Sequence, residues 1–312
     1  MRLQGFTNDL LRYRWVANFT LGFTFLVTFV PIVGIVGIVI AAFITLRKSV
    51  VEGLIFTIAA TLPYFISFWI SNGSESSVTA ALYIALCSAA ALSNLLTWLL
   101  AVMLRRQANW SAVLQAAALL GVFAISVVHL AYPNIADWWG AQFQASYAQA
   151  TSVLASGAMP SLNESQQEIM NAAKMYATGI IVALVIINAV MQLILARWWQ
   201  AAVFSPGSLH RELHRIRLSK LAGVLFVLSL VCSYLGNSVV LDILPVLYVL
   251  FFAAGLSLVH YAFGLMHSSM KWLWLTLFYG VILISVPLSA IIIAMLALMD
   301  IWFDFRKRLR SI

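Results

Sequence analysis

Charge is what this chain has least of. Asp, Glu, Lys and Arg make up 9% of the residues and hydrophobic side chains 63%, whereas a soluble domain carries about 25% charged residues. So little polar surface cannot cover a folded chain in water, which excludes a soluble globular protein and points to an integral membrane protein. Cysteine is nearly absent too. Cys87 and Cys232 are the only two; both sit in apolar runs without metal spacing and read as small packing residues. There is no phosphate-binding glycine loop, nucleophile elbow or cysteine-metal pattern. A cleavable signal pattern is also missing after Met1, so the first apolar block reads as an uncleaved span. At 312 residues, the expected organisation is one transmembrane domain, 1–312, without a large soluble module.

What the chain does have is long apolar blocks. They run Trp15–Leu46, Val50–Ile70, Val78–Leu104, Trp110–Tyr132, Ala172–Ala196, Leu221–Gly236, Val240–Leu265 and Trp272–Phe303. A bilayer core of about 30 Å takes about 20 helical residues, so the middle blocks fit one helix each while the first and last are too long. Each end block contains a break, Pro31 with Gly34 in "FVPIVGIVG" and Pro287 in "ISVPLSA", and proline interrupts a helix. Counting every block as one span splits Lys and Arg almost evenly between the two sides. Counting each end block as two short spans puts every Lys and Arg except Lys174 on one side, which the positive-inside rule favours. The expectation is an all-α polytopic bundle of about 8–10 spans, preferably ten, with short Pro-broken pairs at both ends and both termini cytoplasmic.

Three segments lie between or beyond the blocks. The stretch 133–171 is expected outside, with Trp138, Trp139, Phe143 and Tyr147 suited to an interfacial helix and Ser161 with Glu164 forming a capping box. The stretch 197–220 is expected inside. Within it Leu209, Leu213 and Ile216 share a helical face among Arg211, Arg215, Arg217 and Lys220, which describes a basic amphipathic helix on an anionic leaflet or a docking helix for a protein partner. The tail, 304–312, places four cations in the last seven residues and is expected inside. The net charge of +8 reads as topology and attraction to anionic lipid, not as nucleic-acid binding.

Ionisable and polar residues inside spans are costly and are the candidates for function. Asn188 and Gln192 share a helical face at mid-membrane, as helix-to-helix glue or as cavity lining. Asp242 stands at the outer start of its helix, stabilised there by the helix dipole or placed to meet a ligand. His260 stands near the inner end of that helix. These four are the expected small-molecule contacts. Arg211, Arg215, Arg217, Asp300, Asp304, Arg306 and Arg308 are the expected contacts with lipid or a partner. Anchoring is the simpler role for the tail acids, with Asp304 pairing Arg308 or Lys307 across the helix surface. Glu52 is expected to pair Lys48 at a helix start. His210 and His214 in "HRELH" are four apart, but Arg211 holds the place a zincin needs for glutamate, so no metal or other cofactor is expected and no catalytic residue is assigned.

"FITLRKSVVEGL", "FSPGSLHRELHRIRLSK" and "ALMDIWFDFRKRLR" together resemble the YybS-like family of bacterial multi-pass membrane proteins. The Asp300, Phe303, Asp304, Phe305 and Arg306 pattern is the most distinctive part. The resemblance covers nearly the whole chain and implies a bacterial cytoplasmic (inner) membrane location, not an activity. That family is distantly similar to the substrate-binding membrane subunits of energy-coupling-factor vitamin transporters, from which no residue carries over. The functional expectation is therefore a non-enzymatic protein that binds or transports a small molecule, as such or as the membrane subunit of a larger transporter. The alternative is a non-transporting membrane assembly or regulatory partner.

Overall fold

The computed structural model describes residues 2–28, 34–71, 77–154, 164–266 and 270–310, and among these residues there is no β-strand. The helices, in chain order, are α1 (Arg2–Arg12), α2 (Arg14–Val27), α3 (Ile35–Arg47), α4 (Val50–Ser71), α5 (Ser77–Arg105), α6 (Trp110–Ala131), α7 (Ile135–Leu154), α8 (Glu164–Lys174), α9 (Ala177–Phe204), α10 (Ser208–Leu213), α11 (Lys220–Tyr234), α12 (Ser238–Leu265), α13 (Lys271–Ile284), α14 (Val286–Phe303) and α15 (Phe305–Arg310). Five of them, α4, α5, α6, α9 and α12, are long and apolar enough to cross a bilayer. α13 and α14 bend by 119° at their junction and together make a sixth candidate, while α3 and α11 are apolar but shorter. The all-helical polytopic class expected from composition is present at this level. Pro31 and Ser161 lie outside the described residues, and Pro287 falls in the first turn of α14.

Local sequence explains where several helices start. Asn109 accepts from the Ala112 amide, Ser219 from Ala222 and Asn237 from Val240, capping α6, α11 and α12. Inside the helices, Thr20, Thr45, Thr57 and Thr97 donate back to the carbonyl four residues earlier, so their hydroxyls are satisfied without water.

The short α3 is buried at its centre: Ile38, Ile40, Ala41, Ala42, Phe43 and Ile44 are each at most 3% exposed. It packs against α2, α4, α5 and α9. A helix apolar all round belongs in such a setting, and surrounding protein lets it be shorter than a bilayer is thick. The long helices differ, with only 33–39% of their apolar windows buried, leaving a broad apolar surface of the kind lipid covers. α9 and α12 form the second centre, α9 touching α3, α5, α6 and α12, and α12 touching α6, α9, α11 and α14.

The ends of the molecule are unlike each other. At one end the Arg105 guanidinium donates to the Thr45 carbonyl at 2.8 Å, the Trp199 indole to Thr7 at 3.1 Å, and Lys48 pairs with Glu52 at 2.8 Å as the sequence leads one to expect. Arg197, Arg217 and Arg306 bind at this same basic end. The other end holds a His129–Asp242 pair and a Lys174–Asp137 pair.

The α12–α14 approach depends on Gly255, where an added Cβ would lie 2.2 Å from the Ile293 carbonyl oxygen. Backbone cannot yield as a flexible side chain can. Gly255→Ala is therefore expected to destabilise the protein by about 1–3 kcal/mol, read as a lower thermal unfolding midpoint in detergent. Gly280→Ala on α13, where a Cβ meets nothing within 4 Å, is expected to be neutral or stabilising.

Candidate functional site

α6, α9, α12 and α13 surround a cavity of about 450 Å³, and α10 closes it at the basic end. Small-molecule sites run from about 300 to 1,000 Å³. Leu114, Ile186, Val190, Val246 and Leu250 supply apolar wall, and the polar lining gathers at one end as His210, His214, Ser257, His260 and Tyr279. Ile187 and Met191, also on the lining, are 41% and 49% exposed, so the cavity opens sideways through the α9 face.

The polar end has defined chemistry. His260 Nδ1 is 2.9 Å from the Leu256 carbonyl, which can only accept, so Nδ1 carries the proton. In the neutral ring Nε2 then accepts from the Tyr279 hydroxyl at 3.0 Å. His210 and His214 have ring centroids 3.9 Å apart, and His214 is 6.5 Å from His260. Among the described residues no three His, Cys, Asp or Glu side chains are grouped to hold a metal. What the arrangement offers is imidazole and hydroxyl hydrogen bonding at the end of an apolar slot.

Arg306 holds the floor of this cavity in place. Its guanidinium donates to the His214 carbonyl, to the Ile216 carbonyl at 2.6 Å and to Ser257 Oγ at 3.3 Å, and it lies 5.7 Å over the Tyr261 ring. Arg306 Nε is 3.3 Å from Asp300 Oδ2, near enough for charge pairing. Arg306 Nε and the other carboxylate oxygen, Asp300 Oδ1, are buried without a hydrogen-bond partner. Burial lowers the pKa of Arg306, and the Asp300 carboxylate opposes that shift. Beside it Arg217 pairs with Asp304 at 3.1 Å and donates to the Asp300 carbonyl at 3.0 Å.

Two expectations are corrected here. The Asp304 carboxylate pairs with Arg217 rather than with Arg308 or Lys307: α14 ends at Phe303, and Asp304, at φ +49°, stands at the turn into α15 with its side chain towards Arg217. Arg308 lies 6.0 Å over Phe303 instead. Nor does an amphipathic helix continue to Leu218. α10 stops at Leu213, and the carbonyls of His214 and Ile216 are taken by Arg306 while the Arg217 amide donates to Ser111 Oγ at 3.0 Å. Ile216 and Leu218 are 5% exposed, packed on protein rather than lying on a leaflet. Asp300 and Arg306 are likewise engaged within the chain, whereas Arg211 and Arg215 remain exposed.

Glu212, between the two histidines, binds the Arg197 guanidinium through both oxygens and accepts from the Trp110 indole at 3.1 Å. Burial acts to raise its pKa, but the Arg197 and Trp110 hydrogen bonds outweigh it and hold the carboxyl below its ordinary value. This contact ties α10 to α6 and α9.

The four expected small-molecule residues fall in three places. His260 lines the cavity. Asn188 and Gln192 do not: Asn188 donates to Ser93 at 2.9 Å, and Gln192 Oε1 lies 2.6 Å from the Thr97 hydroxyl. Both join α9 to α5, because the face that carries them is not the one presenting Ile186, Val190 and Ile194. Asp242 is 2% exposed at the other end of α12. It accepts from the Gly179 amide at 2.6 Å and meets His129 Nε2 at 3.0 Å. That amide is in the first turn of α9, so Asp242 caps a neighbouring helix while His129 sits at the end of α6. At Gly179 any Cβ would lie 1.7 Å from the Asp242 carbonyl oxygen.

His210, His214, Ser257 and Tyr279 join His260 at the polar end of the cavity without being expected there. The four-residue spacing of the two histidines is visible in the sequence but does not say what they face, and nothing local marks Tyr279. No protein-family model, curated protein or solved structure matches this chain.

Removing a buried partner strands the other charge, which costs about 3–5 kcal/mol. Arg306→Leu is expected to lower the unfolding midpoint steeply, and Lys307→Ala, on an exposed neighbour, to leave it within about 0.5 kcal/mol of wild type. Adding Asp300→Leu to Arg306→Leu should recover part of the loss; thermal unfolding of the three variants side by side checks the order.

Proposed function

We propose that this chain is a multi-pass protein of the bacterial cytoplasmic membrane that binds a small amphipathic molecule, and carries it across or delivers it, at the cavity between α6, α9, α12 and α13. The observation that supports this reading is the division of the cavity into apolar walls and one polar end. An elongated apolar body fits between Val190 and Val246, and a hydrogen-bonding head fits against His210, His214 and the His260–Tyr279 pair. The basic end faces the cytoplasm on this reading, since Arg105, Arg197, Arg217 and Arg306 share it. α2 with α3 and α13 with α14 are then short pairs entering and leaving on the cytoplasmic side, giving ten apolar helices and both termini inside. The YybS-like tail pattern and the distant likeness to vitamin-transporter membrane subunits favour the same class. With no nucleotide-binding motif in the sequence, ATP-driven transport draws on separate subunits.

A second reading, an assembly or regulatory partner, keeps support from the exposed Arg211 and Arg215. It loses the part that rested on a free tail, because Arg306 and Asp300 bind inside the chain. Native mass spectrometry on protein extracted gently with its lipid separates the two. Wild type is expected to retain a reproducible small-molecule adduct. Ala253→Trp, which fills the cavity, and His260→Leu with Tyr279→Phe, which removes its polar end, are each expected to lose it. Co-purifying polypeptides with no adduct, lost on Arg211→Gln with Arg215→Gln, would support the second reading instead.

A further inference from the structure

A second cavity, of about 560 Å³, lies at the basic end between α2 and α4, away from α9 and α12. Its lining carries Arg12 from the end of α1, Arg14 from the start of α2, and Lys48 with Glu52 at the start of α4. Lys48 and Glu52 neutralise each other at 2.8 Å. Among the described residues neither Arg12 nor Arg14 has an ion pair; Arg12 lies 5.4 Å over the neighbouring Tyr13 ring. The cavity therefore has two uncompensated cations at its mouth, with Asn18 one turn further along α2. Beyond them the lining becomes Leu21, Ile55 and Phe56. Ile55, on this lining, is 48% exposed, so the apolar part of the cleft opens to the outside of the helix pair.

We propose that this cleft is a site for an anionic phospholipid of the leaflet at the basic end. Arg12 and Arg14 hold the phosphate, Asn18 donates to a phosphate or ester oxygen, and an acyl chain follows the α2–α4 groove. Three features point to that occupant rather than to a soluble anion. The cations stand where apolar helix gives way to polar ends, at head-group depth. The neutralised Lys48–Glu52 pair leaves positive charge on one rim only. The lining turns apolar within about a turn, which a free phosphate would not use but a lipid would. Basic pockets between membrane helices take phosphate head groups in this manner, and guanidinium forks match phosphate oxygens. The site shares no lining residue with the α9–α12 cavity, so either can fail without the other.

The test is titration of the detergent-solubilised full chain with phosphatidylglycerol or phosphatidylcholine, read by native mass spectrometry. Wild type is expected to take up one phosphatidylglycerol in preference to phosphatidylcholine. Arg12→Gln with Arg14→Gln is expected to lose about thirtyfold in phosphatidylglycerol affinity, the effect of two surface cations beside an anionic head group. Arg12→Lys with Arg14→Lys should keep most of it, and unfolding midpoints should match wild type throughout. Arg211→Gln with Arg215→Gln, removing two exposed cations elsewhere at the same end, should leave binding unchanged. An equal loss in that control pair would overturn the proposal in favour of diffuse attraction to the whole basic surface. Full displacement of the lipid by millimolar inorganic phosphate would also overturn it, showing a simple phosphate site in which the apolar groove plays no part.

Discussion

One buried guanidinium ties the basic end together. Arg306 reaches from α15 to the backbone carbonyls of His214 and Ile216, to Ser257 on α12 and to Asp300 on α14. In an apolar surrounding a peptide carbonyl must find a donor or lose several kcal/mol, and the chain between α10 and α11 has left its helix. Arg306 supplies those donors, so an irregular segment survives next to membrane helices. That segment carries His214 and, through α10, His210. The polar end of the cavity therefore rests on a residue that does not line it.

Two further contacts reinforce this arrangement from the sides. Arg197 and Trp110 grip Glu212, holding α10 against α9 and α6. Arg217 grips Asp304 and the last carbonyls of α14, where positive charge also suits the negative end of the helix dipole. At the opposite end Asp242 performs the corresponding task for α9, accepting its Gly179 amide. Charge within this molecule is concentrated where helices end and backbone groups need partners. The mid-membrane contacts are instead uncharged, through Ser93, Asn188, Thr97 and Gln192.

The sequence made the class of fold legible because it is a matter of composition and block length. Lipid-facing helices need apolar residues all round, and that pattern survives any packing. The Lys48–Glu52 pair was legible too, being local to one helix turn. The site was not, since a cavity is set by which helix faces meet, and periodicity does not say which faces do. Asn188 and Gln192 illustrate this: their spacing places them on one face of α9, and only the position of α5 decides that the face is glue. His260 was identifiable as a polar residue within a span, while its partner Tyr279 comes from α13 and has no local mark. The tail pairing was hidden for a different reason: the Asp304 carboxylate is taken by Arg217, a residue far away in sequence that no local spacing marks.

The central claim is that a cavity with apolar walls and a histidine-lined end, floored by the Arg306 contacts, is occupied in the membrane. The most direct measurement is an experimental density map of the full chain in nanodiscs of its native lipid. The account predicts elongated density between α9 and α12 with its polar end against His214 and His260, and Arg306 bound to the carbonyls of His214 and Ile216. A cavity closed by α13 packing onto α9, with Arg306 turned out to solvent, would contradict it.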